Sequence, residues 1–191
     1  MKITDGTGTG FEARVDSENR LLTESVTETE QLEAAVKGNA FQVGSGVVTL
    51  TSASESAVLY FKNNEEKDLI VTAINITSTT QTGSTAGVFL AKIYTGATGL
   101  SASTSQTALN NNFGSNKSLD VDIEAGQEAS TVTSGTAAAA FYIQEAEFFN
   151  TEVAWVFPKG STIAFSVTPG AGNTSMTVTA TLEAHIARET L

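Results

Sequence analysis

From residue 40 onward, apolar and polar positions alternate with a period of two. Ile74 and Ile76 point one way while Asn75 and Thr77 point the other, and Met176, Val178, Ala180 and Leu182 oppose Thr177, Thr179 and Thr181. Such alternation places one face of a strand on a core and the other in polar surroundings. The pattern predicts strands over 40–43, 47–51, 58–62, 69–77, 88–94, 118–123, 141–149, 152–157, 162–168 and 175–186, all rich in Val, Ile, Thr, Phe and Tyr. The breaks carry turn chemistry: a polar hairpin tip at 63–68, and the Pro-then-Gly segments beginning at Pro158 and Pro169. About ten short strands with no strand–helix alternation predict an all-β, antiparallel, jelly-roll-like β-sandwich over 39–191.

Three Ser/Thr/Gly/Asn-rich stretches, 78–86, 99–114 and 126–137, resist assignment. Loops of that length in a compact domain are expected to bind something or to bury themselves in a neighbouring subunit. The run Ala137-Ala138-Ala139-Ala140 is compatible with helix or strand.

Residues 1–38 read as a separate N-terminal arm. They hold eight acids, four bases and few large apolar groups, and Gly6, Gly8 and Gly10 make regular structure at the start costly. The segment from Phe11 to Val15 alternates as a short strand, and 20–26 is a second extended candidate. One short helix is predicted: Thr27 and Glu30 have capping-box spacing, Leu32, Ala35 and Val36 share a face, Glu33 precedes Lys37 by four, and Gly38 ends it. Two turns do not persist alone in water, so the Leu32/Val36 face is expected to dock. Phe11, Val15, Leu32 and Val36 are therefore the candidate partner-binding residues, with the Phe11–Val15 segment suited to adding a strand to a neighbour's sheet edge.

Composition narrows the function. A net charge of −11 without a basic stripe argues against nucleic acid and against anionic membrane surfaces. No apolar run approaches the roughly 20 residues of a spanning helix. The start, Met1-Lys2-Ile3-Thr4-Asp5-Gly6, has no apolar core, so a cytoplasmic origin outside the general secretory route is expected. The chain has no cysteine, which excludes disulfides and thiolate metal sites.

Little in the sequence reads as catalysis, and neither enzyme activity nor a cofactor is expected. His185, the one histidine, has no nucleophile or zinc spacing around it and reads as a surface or packed strand residue. Gly6, Gly8 and Gly10 lack the Gly-Lys-Ser/Thr and strand–turn–helix context of nucleotide loops. Asp120, Asp122 and Glu124 alternate with Val121 and Ile123 and read as a solvated outer face, with a bound hard cation as the alternative. Trp155, Phe157, Tyr142, Phe148 and Phe149 read as core, with a sugar-stacking platform as the alternative. A glycosidase would need two carboxylates across a groove, and Glu145 with Glu147 on one strand face is the only suggestive pair. The sequons at Asn75, Asn116 and Asn173 carry no weight without a secretory signal.

A resemblance adds to this reading. Asp5-Gly6-Thr7-Gly8, Ala13-Arg14-Val15-Asp16, the stretch from Arg20 to Thr27, the stretch from Ala34 to Phe41, Leu50-Thr51 and Tyr60-Phe61-Lys62-Asn63-Asn64 resemble the virion structural proteins of tailed bacteriophages, of the capsid-decoration or head-fibre type. The resemblance is strongest over 5–64 and continues only in style beyond. It implies a non-catalytic, multicopy module, a homotrimer made in the host cytoplasm and attached to a capsid or other virion protein. A carbohydrate-binding module or adhesin-type β-sandwich is the alternative.

Overall fold

The computed structural model describes residues 30–187, together with the backbone of β1 (Ile3–Thr4) and β2 (Glu12–Ala13), which pair antiparallel. The chain divides into two compact units, Met1–Glu30 and Gln31–Leu191. In the second, helix α1 (Glu30–Val36) precedes β3 (Ala40–Gly44), β4 (Val48–Leu50), β5 (Ser56–Asn63), β6 (Leu69–Ser78), β7 (Val88–Thr95), β8 (Gly99–Leu100), β9 (Ser103–Ser105), β10 (Leu109–Asn110), β11 (Val121–Gly126), β12 (Val132–Thr133), β13 (Thr136–Gln144), β14 (Phe148–Phe157), β15 (Thr162–Thr168) and β16 (Met176–Ile186).

These strands form two antiparallel sheets. Sheet I runs β10-β3-β16-β6-β14, with β4 also on β16, and sheet II runs β13-β7-β15-β5-β11-β9. Within them, the orders β3-β16-β6-β14 and β5-β15-β7-β13 are those of a jelly roll. Every connection along the eight strands crosses between the sheets except that from β7 to its neighbour β13. The inner faces meet in one core that includes Phe61, Phe89, Phe165, Leu50, Leu69, Ile74, Ile76, Ile163, Met176 and Leu182. Phe61 meets Phe157 edge-on at 6.1 Å between ring centroids, which ties β5 of sheet II to β14 of sheet I.

Several expectations change. The segment at 63–68 is not a hairpin tip, because β5 and β6 lie in different sheets and the segment carries the chain across the sandwich. Residues 141–149 are not one strand. The chain turns at Glu145 and Ala146, and Ala146 takes φ 57° without a glycine to signal the turn. The alanine run is strand, within β13.

Two of the unassigned stretches fold back on their own molecule. Between β7 and β13, β9 extends sheet II beyond β11, β10 extends sheet I beyond β3, and β8 pairs with β12. Leu100 and Val132 of that last pair, with Tyr94, pack on a second small core of Tyr60, Ala97 and Ala164.

Helix α1 ends as its sequence predicts. Gly38 has φ 70°, its N–H donates to Ala35 O, and the Asn39 N–H donates to Ala34 O at 2.7 Å, which satisfies the orphaned carbonyls. Ala34 is buried at 7% exposure, whereas Leu32 and Val36 stand 53% and 66% exposed. The Thr27 half of the capping box lies outside the described residues.

Candidate functional site

The two ends of the sandwich are built differently. At one end the outermost strands are β9 and β10, of three and two residues. Short edge strands limit the unpaired main chain that can template association. At the other end the outermost strands are β13 and β14, of nine and ten residues, each hydrogen-bonded to a neighbour on one side only among the described residues. β13 contains no charged residue and β14 contains only Glu152. Proline, lysine and inward charge, which commonly blunt such edges, are absent from both strands. A register shift interrupts each, between Ala137 and Ala139 in β13 and between Glu152 and Trp155 in β14.

The gap between these strands is closed at their turn. There Phe141 and Phe149 stack at 5.5 Å between centroids, 25° from parallel. Further along, the gap opens into a groove of about 500 Å³ lined by Ile93, Ala138, Ala139, Trp155, Val156 and Phe157 among others. That size lies within the roughly 300–1,000 Å³ range of ligand pockets, and the lining is predominantly apolar.

Further exposed apolar side chains occur on α1, on β10 and in the loop after β10: Phe113 is 87% exposed, with Leu109, Leu32 and Val36 also exposed. The Phe113 loop is firmly held. Asn112 donates its side-chain amide to Val36 O (2.9 Å) and accepts the Gly114 N–H (3.0 Å). Asn110 donates to Gly38 O and Lys117 O, both at 3.0 Å, and the Lys117 ammonium donates to Lys37 O (2.9 Å) and Asn39 Oδ1 (2.8 Å). The ring is thus displayed by a hydrogen-bonded frame that joins the loop to the end of α1.

A polar cluster marks the outer face of sheet II. Glu55 accepts from Lys92 (2.5 Å), Tyr94 Oη (2.5 Å) and Ser166 Oγ (2.6 Å). Burial pushes the Glu55 carboxyl up, but these donors outweigh burial and hold it below the ordinary range. Burial, then the Glu55 bond, raises the Tyr94 phenol, and the same carboxylate raises the Lys92 ammonium. The adjoining cavity of about 260 Å³ is lined by Glu55, Ala57, Tyr94, Ser130, Thr131, Val132 and Ser166. Both Glu55 oxygens are engaged, so the cluster ties residues before β5 to β7 and β15.

The other candidates fall as follows. Asp120 and Asp122 are exposed and Glu124 half-buried, outside Val121 and Ile123 as the alternation predicts. They engage different partners: Asp122 lies 3.4 Å from Lys62, Glu124 accepts from Leu100 N (2.8 Å) and Ser103 Oγ (2.9 Å), and the Asp120 N–H donates to Glu65. No group of three or more metal-ligating side chains occurs among the described residues. Glu145 and Glu147 lie in the turn, not on one strand face, and Glu145 accepts the Gln81 N–H. His185 is packed at 3% exposure. Trp155 and Phe149 pack against the core, whereas Tyr142 is 76% exposed and Phe148 is also exposed, so the five rings are only partly core. Tyr142 is on sheet II and Phe148 on sheet I.

Phe11 and Val15 lie outside the described residues. Sequence reasoning missed Phe113 and the groove. For the groove the available signal was the uncharged run 129–144 in a chain of net charge −11, and for Phe113 there was none. No helix among the described residues is long and apolar enough to cross a membrane. No protein-family model, curated protein or solved structure matches the chain.

Proposed function

We propose that this chain is a non-catalytic structural module that works by assembling: a homotrimer attached in many copies to a phage capsid or other virion protein. The observation that supports it best is the pair of long, nearly uncharged outer strands β13 and β14, whose outer main chain has no strand partner among the described residues, and the apolar groove between them. Acidic copies repel one another, so contact is favoured where charge is absent. Natural sandwiches blunt such edges when they act alone, as this one does with β9 and β10 at its far end. The resemblance of residues 5–64 to virion proteins supplies the particle.

Native mass spectrometry and mass spectrometry of purified particles test this together. A defined oligomer and a multicopy presence on the particle are expected. A monomer absent from particles, with Tyr142-dependent binding to glycans, overturns the reading in favour of a carbohydrate-binding module.

A further inference from the structure

We propose that assembly is head-to-tail, with Phe113 of one copy seated in the groove between β13 and β14 of the next. This contact rests on the assembly reading above and specifies how it is made.

Placement comes first. Phe113 follows β10 at one end of sheet I, and the groove borders β14 at the other end. Four inter-strand spacings of about 4.8 Å separate these ends, so Phe113 cannot reach the groove of its own copy. The contact is heterologous, and a heterologous contact that closes on itself makes a ring, a trimer among the possible sizes.

Chemistry selects a second copy. Phe113 is a large apolar side chain left almost wholly in water on a loop fixed by Asn110, Asn112 and Lys117. Fixing the loop beforehand removes much of the ordering cost of binding. The groove offers an aromatic and aliphatic lining of matching character. Charge does not oppose the contact: residues 109–117 carry Lys117 and no acid, and the groove lining carries no charged residue.

The test uses full-length chain and two variants, Phe113→Asp to spoil the projecting ring and Ala139→Arg to fill the groove. Circular dichroism establishes that each retains its β signature. Sedimentation equilibrium is expected to find wild type oligomeric and each variant monomeric alone. The two variants mixed are expected to form a one-to-one complex, because each retains the surface the other lacks. A milder Phe113→Ala is expected to weaken association about 30-fold, the effect of an interface hot spot. Oligomeric wild type together with equally oligomeric Phe113→Asp overturns this contact and leaves the assembly reading standing. So does loss of association on Phe11→Asp but not on Phe113→Asp, which assigns the groove to the N-terminal segment. Folded variants that form no complex on mixing also overturn it. Monomeric wild type overturns the assembly reading and this contact with it.

Discussion

Phe141 and Phe149 stack ring on ring although they belong to different sheets, Phe141 to β13 and Phe149 to β14. They close the sandwich on the side where no further strand among the described residues covers it, next to the turn joining the two strands. Both rings are half-buried and pack against the main core.

Either ring truncated to alanine should therefore destabilise the chain by about 2–3 kcal/mol, less than the 3–5 typical of a fully buried Phe. The double variant should show a coupling of about 0.5–1.5 kcal/mol, the range for aromatic pairs. Urea unfolding of the two single variants and the double variant measures both quantities. Additive losses would show that the stack adds nothing beyond burial.

Gly126, the last residue of β11, supports a stronger steric prediction. A Cβ there would fall 1.9 Å from the carbonyl oxygen of Ala57, which is main chain in the neighbouring β5 and cannot rotate away. Gly126→Ala should force the end of β11 off β5 and cost roughly 3 kcal/mol or more, the range of substitutions that break packing outright. Gly46, beside which an added Cβ meets nothing within 4 Å, separates space from conformation: its φ of 65° makes Gly46→Ala costly through backbone strain alone, about 1–2 kcal/mol. Thermal melts of the two variants should rank Gly126→Ala as the less stable.

The sandwich was legible where strand chemistry and burial agree. The strand expected at 162–168 is β15 without change, and that at 175–186 is β16 to within one residue. What escaped lacks a local signal. The turn between β13 and β14 has neither Gly nor Pro, and Ala146 adopts a left-handed conformation the sequence does not announce. β8, β9, β10 and β12 are two or three residues long and polar or mixed, and they exist because distant strands offer them edges. Candidate surfaces were harder still. Leu32 and Val36 were legible as one helical face, but small Ala34 is the residue that faces inward, so the large apolar pair is left outward. Nothing local distinguishes an exposed Phe113 from a buried one, since that depends on how Asn110 and Asn112 tie the loop to α1.

The Glu55 cluster makes stability depend on pH in a stated direction. The folded carboxyl is held below its unfolded value, so its contribution is present above the ordinary Glu range near 4.5 and is lost as pH falls through the folded value. Tyr94 and Lys92 have the opposite sense. Their folded values are raised, so their contributions are full below about 10, their ordinary range, and are lost as pH rises through the folded values. Glu55→Gln should lower the melting temperature at neutral pH and reduce the drop on both the acid and the alkaline side. A variant whose melting profile parallels wild type from pH 3 to 11 would show that the cluster contributes nothing to stability.

If residues 1–38 carry the attachment and the sandwich is what they display, the point at which a truncation ends tests this division. Residues 1–29 precede α1, whereas Val36, Lys37 and Gly38 supply the carbonyls that receive Asn112, Lys117 and Asn110. Removing 1–38 would delete that frame and release the Phe113 loop, so any loss of association would have two causes. Removing only 1–29 leaves α1 with Ala34 buried, its Gly38 cap and the loop frame in place. This shorter deletion should yield a soluble β protein that keeps its self-association through Phe113 but no longer joins the particle, because the segment from Phe11 to Val15, expected from its sequence to add a strand to a neighbour, is gone. Deletion of 1–38 should lose both. Sedimentation velocity reads self-association and co-purification with particles reads attachment. Full particle occupancy by the 30–191 chain would place the anchor on the sandwich, and loss of self-association in that same chain would give the arm a role between subunits instead.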